Sequence, residues 1–480
     1  MKTISLGQST VYMTAASIGQ KIISFVYFAI IARSLGAEDT GKYFFALSFT
    51  TIFVVFVDLG LTNVMVREGA KIKEKISDFV SSVLFIKFFL GIFAYSIMVF
   101  VLILLHYEMD TRTLVFISGI TMLSDSLQLT LYGTLRALGN IKYEALGIVS
   151  GQFITLVLGT LFLYFKLPAY FLMVAFLVPS LLNTLFAYII TTHVYHVELR
   201  PRYSREILFY IIPIAIPFAL ATVFGRIFSY SDSIILSKIA GDIAVGWYSV
   251  PYKIAYAFQF IPFALIAGLY PRMSEYFVHD HKRLAEVFSQ GLRYLLVISL
   301  PMSVGIIILA KDIITTFFGV QYAPSVLPLQ ILMCGVIASY LNTLLGALLN
   351  ATGKQKIQTT FIGVVMVVNI LLNLAFIPRI GVVGAALSGT LGNLLLLIIS
   401  WAVARKTVTI VYKEISILIA KLIIASGIMS LVIWYTPSML HVAFRAVLGM
   451  GVWILVFLGL RGFTAGDIIY FKGLRPKNNT

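Results

Sequence analysis

Residues 313–353 read IITTFFGVQYAPSVLPLQILMCGVIASYLNTLLGALLNATG, which is 41 residues between Asp312 and Lys354 without one formal charge. In a soluble domain roughly a quarter of residues are charged, so a gap of this length does not belong to a water-borne protein. Working outward, a second uncharged stretch of 31 residues separates Lys166 from Glu198. Over all 480 residues, 60% are apolar and 12% are charged. This balance excludes a soluble globular enzyme, a disordered chain and a coiled coil. A bilayer core takes about 20 apolar residues per helix, so the fold class is all-α integral membrane.

Read at that span length, the chain predicts about fourteen transmembrane helices, near 9–33, 43–65, 79–105, 112–138, 145–166, 169–194, 207–237, 244–270, 290–310, 325–350, 357–377, 383–404, 414–436 and 440–461. The longest connector, Pro271 to Ser289, has about nineteen residues, which leaves no room for a soluble domain. The expected organisation is an N-terminal six-helix lobe at 1–197, a cytoplasmic linker at 198–206, a C-terminal six-helix lobe at 207–406, an extra helix pair at 407–462 and a cytoplasmic tail at 463–480. Segments on the side of the N-terminus carry 23 Lys and Arg, opposite segments carry 7, and six of the 36 lie within spans. Because Lys and Arg hold loops on the cytoplasmic side, both termini are expected there, in a multi-pass protein of the cell (inner or plasma) membrane. The same rule assigns the net charge of +16 to loops rather than to nucleic acid. The N-terminus lacks the cleavage site of a secretory signal, so the first span is expected to be retained. Cys334 stands alone and the six His show no HExxH spacing, so no disulfide, metal or cofactor is expected.

The chain repeats itself. Sliding residues 16–43 by 205 positions onto 221–248 gives 7 identities in 28, among them Gly36 with Gly241, Gly41 with Gly246 and Tyr43 with Tyr248. Cations pair as well: Lys21 meets Arg226, Arg33 meets Lys238 and Arg67 meets Arg272. Chance similarity between apolar helices explains matched Leu and Ile; it explains the matched Gly-x4-Gly-x-Tyr and cations poorly. Six spans per repeat is an even number, so both halves enter the membrane from the same side. The expected result is two pseudo-symmetric six-helix lobes about an axis along the membrane normal, with a central cavity between them.

Ionisable groups at membrane depth are costly, about 2.5–3.5 kcal/mol at a helix centre, so they face water or a partner. Lys21, Arg226 and Lys253 lie well inside spans and are candidates to face a cavity and bind substrate; the alternative is ion pairs that fix packing. Lys87, Lys421 and Arg445 sit within about two turns of span ends, where snorkelling to the headgroups is expected. Asp58, Asp125 and Asp232 are candidates either for ion pairing with these cations or for coupling to a proton or Na⁺. Pro213, Pro217 and Pro251, with Pro262 and Pro271, crowd the seventh and eighth spans, whereas the chain before Pro168 has no proline. Each proline removes a backbone hydrogen bond, which marks this pair as a candidate bent, moving element; static kinks are the alternative. Tyr12, Tyr27, Tyr230, Tyr248, Tyr252 and Tyr256 share spans with the central cations and offer faces for sugars or for neighbouring protein.

Several of these segments resemble the polysaccharide-transporter (O-antigen and repeat-unit flippase) branch of the multidrug/oligosaccharidyl-lipid/polysaccharide (MOP) exporter superfamily. The segments are Asp58-Leu-Gly-Leu61 with Arg67-Glu68, Arg136-Ala-Leu-Gly-Asn-Ile-Lys-Tyr-Glu-Ala145, Asp232 to Gly241 running on to Val245-Gly-Trp-Tyr248 and Tyr252-Lys253, Asn350-Ala-Thr-Gly-Lys354, and Asn369 to Ala386. The resemblance covers about residues 5–405, and its specificity lies in the order of individually weak motifs. It implies two six-helix lobes around a V-shaped cavity. It also implies alternating access for a polyprenyl-diphosphate-linked oligosaccharide moving to the outer leaflet. On that reading Lys21, Arg226 and Lys253 offset the diphosphate, and Gly36, Gly41, Gly241 and Gly246 serve an outer gate. The protein is expected to be a monomer, with a polysaccharide polymerase or glycosyltransferase as candidate partners. A cation-coupled multidrug exporter or a lipid II flippase on the same fold is the alternative. Membrane enzymes bring a large outer loop or a catalytic loop residue, and the sequence predicts neither; it also lacks the Gly-x4-Gly-Lys-Ser/Thr loop of a nucleotide-driven pump.

Overall fold

In a lipid core every backbone N–H and C=O must find its partner within the protein, and a helix achieves this inside a single segment. The computed structural model describes residues 6–200, 204–437 and 440–462, with the side chains of 6–12, 14, 205, 208, 211, 212, 214 and 216–218 left aside. The expected tail at 463–480, part of the linker at 201–203 and the side chains of Tyr12 and Pro217 thus lie outside the described residues. The first part of the chain forms α1 (Leu6–Asp58), α2 (Leu61–Lys71), α3 (Ile76–Leu104), α4 (Met109–Ala137), α5 (Lys142–Tyr164) and α6 (Tyr170–Ile189). Then follow α7 (Arg205–Ala257), α8 (Phe260–His279), α9 (His281–Phe317), α10 (Val326–Ala351), α11 (Gln355–Ala404), α12 (Tyr412–Tyr435) and α13 (Val442–Gly459). No strand occurs among the described residues. Eleven helical segments are long and apolar enough to cross a membrane.

Three of the long helices are broken inside by glycine. Gly36 in α1 has φ 81° and ψ −176°, and Gly241 in α7 has φ 81° and ψ 178°. These two positions are 205 residues apart, the repeat offset, and share one backbone conformation that a β-carbon disfavours. The break in α11 falls at Ile380 and Gly381. Two expected boundaries differ. The connector Pro271 to Ser289 is helical except at Asp280, whose carboxylate accepts from the backbone N–H of Lys282 and Arg283, each at 3.1 Å, and so starts α9. The second expected span, 43–65, stops at Asp58, where Leu59 and Gly60 take positive φ of 44° and 76° and turn the chain into the short α2.

The chain divides into two units, Met1–Phe260 with Lys356–Gly392, and Ile261–Gln355 with Asn393–Thr480. This division runs through the expected second lobe at 207–406 rather than between the two expected lobes. In the first unit α1 packs along α7 and against α3, α4 and α5, while α4 packs on α6. Leu61, Val64 and Met65 of α2 join Ile76, Phe79, Val80 and Val83 of α3 in a buried cluster with Ala137 and Ala215. In the second unit α9 packs on α10, α12 and α13. Arg445 of α13 does not snorkel: it is buried, pairs with Asp312 of α9, and donates to the Ile433 carbonyl at 2.9 Å. A charge buried in protein takes a partner there in place of a headgroup. Lys421 is exposed and donates to the Arg461 carbonyl at 3.0 Å, as a cation near a helix end does.

Candidate functional site

Beyond their breaks, α1 and α7 meet at the repeated glycines. A β-carbon on Gly41 would overlap the Asp242 carbonyl oxygen, and one on Gly246 would overlap the Ala37 carbonyl oxygen. Ala37 and Asp242 are themselves 205 residues apart. The contact is therefore reciprocal: the first copy's glycine touches the second copy's carbonyl, and the second copy's glycine touches the first copy's. A two-fold relation between the repeats produces this pattern. Lys238, next to this seam, donates to the Leu105 carbonyl and lies 4.1 Å from the Tyr107 ring centroid.

Fifteen residues before each break stand Lys21 and Arg226. At 1.5 Å per residue each cation lies about 22 Å along its helix from its glycine. Both side chains are exposed, and neither makes an ion pair among the described residues. A β-carbon on Gly19 or Gly225 would meet nothing within 4 Å, so the surface beside each cation is open. Lys253, beyond the α7 break, is half-buried; its ammonium lies 5.4 Å from the Phe28 ring centroid and 5.8 Å from that of Phe44, within cation–π range. Lys21 is near enough to Lys253 for the two charges to repel. The fold thus brings Lys21 and Lys253 together, and places Arg226 at the repeat-equivalent position on the helix packed along α1. Tyr252 sits at the centre of a ring cluster, 6.1 Å from Tyr230, 4.6 Å from Tyr256, 5.9 Å from Tyr248 and 5.6 Å from Phe44. Tyr27, by contrast, is buried against Phe176.

The three acids have three different surroundings. Asp58 pairs with Lys87 at 2.5 Å and accepts from the Thr62 hydroxyl at 2.5 Å. Lys87, 2% exposed, also donates to Thr62 Oγ1 at 2.8 Å and to the Ser126 carbonyl at 3.1 Å. The expected snorkelling of Lys87 is therefore replaced by a hydrogen-bonded pair inside the helix bundle. Asp125 is exposed and accepts from Ser180 at 2.5 Å. Asp232 is buried without a cation beside it among the described residues: Tyr248 donates at 2.9 Å to one oxygen and Asn373 at 2.5 Å to the other. Asn373 and Ser231 both donate to Asn369 Oδ1 at 3.1 Å, while Asn369 Nδ2 and Asn373 Oδ1 are buried with no partner.

Of the expected hinge residues, Gly241 carries the non-helical backbone of α7; no non-helical angles occur at Pro213, Pro217 or Pro251. Pro213 is exposed and Pro251 is buried. Two groups carry no weight in the sequence reading. Asn369 and Asn373, spaced i to i+4 in an apolar helix, could have been found as one polar face. Glu68 could not, because its contact comes from far along the chain: Lys71 donates to it at 2.9 Å and Tyr210 of α7 at 3.0 Å. These hydrogen bonds, Lys71's first, hold the Glu68 carboxyl below the usual carboxylate range.

Glycine-broken helices paired about a two-fold relation, with cations at equivalent depth, define a membrane transporter built by duplication. The chain matches the polysaccharide biosynthesis protein family over residues 6–277 and belongs to it. A second match, to the lipid II flippase MurJ family, covers residues 219–456. The family lies in the polysaccharide-transporter branch of the MOP superfamily. Among relatives, the capsular polysaccharide biosynthesis protein CapF of Staphylococcus aureus is 22% identical over 402 residues, 81% of this chain and 96% of that protein. The probable flippase AglR of Haloferax volcanii is 32% identical over 178 residues, 35% of this chain and 37% of that protein. Among solved structures, the lipid II flippase MurJ in an inward closed conformation superposes with a TM-score of 0.77 at 18% identity, covering 97% of this chain and all of that one (100%).

Proposed function

We propose that the protein flips a polyprenyl-diphosphate-linked oligosaccharide repeat unit from the cytoplasmic to the outer leaflet by alternating access, for surface polysaccharide biosynthesis. The observation that carries this reading is the placement of Lys21 and Arg226 at repeat-equivalent depth, exposed and without an acid partner among the described residues. A diphosphate brings about two negative charges to a low-dielectric site, and paired cations with Lys253 beside them offset that charge. Tyr230, Tyr252 and Tyr256 supply ring faces for the sugars. An inside-negative membrane potential drives each negative charge outward by about 2.3 kcal/mol per 100 mV. The protein is a transporter, not an enzyme: its side chains bind and release, and the repeat unit crosses unchanged.

In this reading the eleven apolar segments become fourteen crossings, since the breaks at Gly36, Gly241 and Gly381 each add one. The crossings form two six-helix lobes, 1–197 and 207–406, with an added pair at 407–462. Both termini are cytoplasmic, in the cell membrane. The protein works as a monomer, handing its cargo to the polymerase of the pathway. Asp232 is the coupling residue the geometry favours, because a buried carboxylate without a cation can take up a proton or Na⁺.

The test is glycan export by Lys21→Gln, Arg226→Gln and the double variant, each checked for membrane accumulation. Export is expected to fall at least tenfold in each single variant and to be lost in the double. Full export by all three sinks the anion-binding role. A lipid II flippase is the second reading, favoured by the MurJ-family match over 219–456. It shares the polyprenyl diphosphate, and rescue of a cell depleted of its lipid II flippase separates the two.

A further inference from the structure

The first helix set touches α7 at two places, and the two are built differently. At the glycine seam the backbones meet so closely that no methyl group fits at Gly41 or Gly246. At the other place, near the start of α7, the Tyr210 hydroxyl donates to Glu68 at 3.0 Å. Beside that bond lies a cavity of about 480 Å³ whose wall includes Lys75, Asp78, Ser81, Ser82, Ser204 and Glu206, as well as Tyr210 itself. At about 30 Å³ per water, a polar cavity of this size holds on the order of ten waters. Only a small apolar patch, Ile207 and Ala215 against the α2–α3 cluster, accompanies the bond.

We propose that the Tyr210–Glu68 hydrogen bond is the latch of this end of the transporter, and that its rupture is the first opening step while the glycine seam stays shut. Glu68 is suited to the part. Lys71 and Arg67, at 2.9 and 3.4 Å, keep it ionised and fixed on α2, so one swing of α7 breaks a single charge-assisted bond. Water already present in the seam solvates both partners as they separate. The glycine seam offers no such route, because its contacts are backbone on backbone. The purpose of the latch rests on the alternating-access reading above, but its existence is measurable without substrate.

The experiment uses full-length protein in membranes, with Cys334→Ser and one reporter, Ser82→Cys in the cavity or Asp39→Cys near the glycine seam. Labelling by a membrane-impermeant thiol reagent is normalised to protein present. Tyr210→Phe and Glu68→Ala are each expected to raise the Ser82→Cys labelling rate several-fold and to leave the Asp39→Cys rate unchanged. The double variant should label no faster than the more affected single, since both remove one bond. Unchanged labelling in both singles, additive effects in the double, or a rise at the Asp39→Cys reporter overturns the latch. Loss of glycan export with the labelling pattern intact leaves the latch standing and removes the flippase reading instead.

Discussion

Gly41 and Gly246, 205 residues apart, face one another: a β-carbon on Gly41 would lie 2.9 Å from the Gly246 backbone nitrogen and would overlap the Asp242 carbonyl oxygen. The matching overlap of Gly246 with Ala37 makes the two positions equivalent. Gly41→Ala and Gly246→Ala should therefore behave alike, each forcing the backbones apart at a cost of about 1–3 kcal/mol. Thermal unfolding in detergent should show the same drop for both, with faster labelling of an Asp39→Cys reporter. Gly225→Ala is the control, because nothing lies within 4 Å of its added carbon. A large loss in only one of the two seam variants would contradict the reciprocal contact.

Lys87 and Asp58 form a buried pair at 2.5 Å, so removing one partner strands the other. Lys87→Met should cost about 3–5 kcal/mol, and adding Asp58→Asn should recover much of that loss, because two neutral groups replace one unpaired charge. Unfolding temperature in detergent reads both effects. The same comparison assigns Asp58: if the stabilised double variant still exports glycan at a normal rate, the carboxylate fixes helix packing and carries no coupling ion. Arg445→Met should behave like Lys87→Met through its pair with Asp312.

The membrane class, the repeat and most helix positions were legible in the sequence because each rests on a local quantity: charge-free length, the Lys and Arg bias, or identity at a fixed offset. Gly36 and Gly241 were legible for the same reason, since a repeated glycine marks a repeated backbone demand. The fates of Lys87 and Arg445 were not. Whether a cation near a helix end snorkels or pairs depends on which acid the tertiary fold sets beside it, and Asp58 and Asp312 lie 29 and 133 residues away. Glu68 escaped notice likewise, since its partner Tyr210 is 142 residues distant. The prolines of α7 drew attention that Gly241 deserved more: a proline in a helix signals a missing hydrogen bond, whereas φ of 81° is the break itself.

Asp232 and its amide neighbours predict where coupling to an ion gradient fails. Asp232→Asn keeps the size of the side chain and its place beside Tyr248 and Asn373 but removes the ionisable group. Transport by this variant should no longer respond when the proton or sodium gradient is collapsed, while the response to membrane potential persists. Reconstituted vesicles with each gradient set separately give the readout. Retained gradient dependence in Asp232→Asn, together with its loss in Asp125→Asn, would move the coupling site to Asp125, whose exposed carboxylate accepts only from Ser180 among the described residues.

The latch carries its own pH signature, and the sign follows from Glu68. Lys71 and then Tyr210 donate to its carboxylate and hold the folded-state pKa below the ordinary value of 4.5. A group whose pKa is lowered on folding contributes stability that is fully present above its unfolded value and is lost as pH falls through its folded value. The Tyr210–Glu68 contact should therefore be indifferent to acidification from pH 7 to pH 5 and should weaken only below about 4.5. A spin label at Ser82→Cys in full-length protein tests this, since its mobility reports the wet seam without a pH-sensitive labelling reaction. Mobility should stay constant down to pH 5 and rise below 4.5, and in Tyr210→Phe it should start high and change less. A rise between pH 7 and pH 6 in the unaltered protein would mean that some group other than Glu68 holds this end closed.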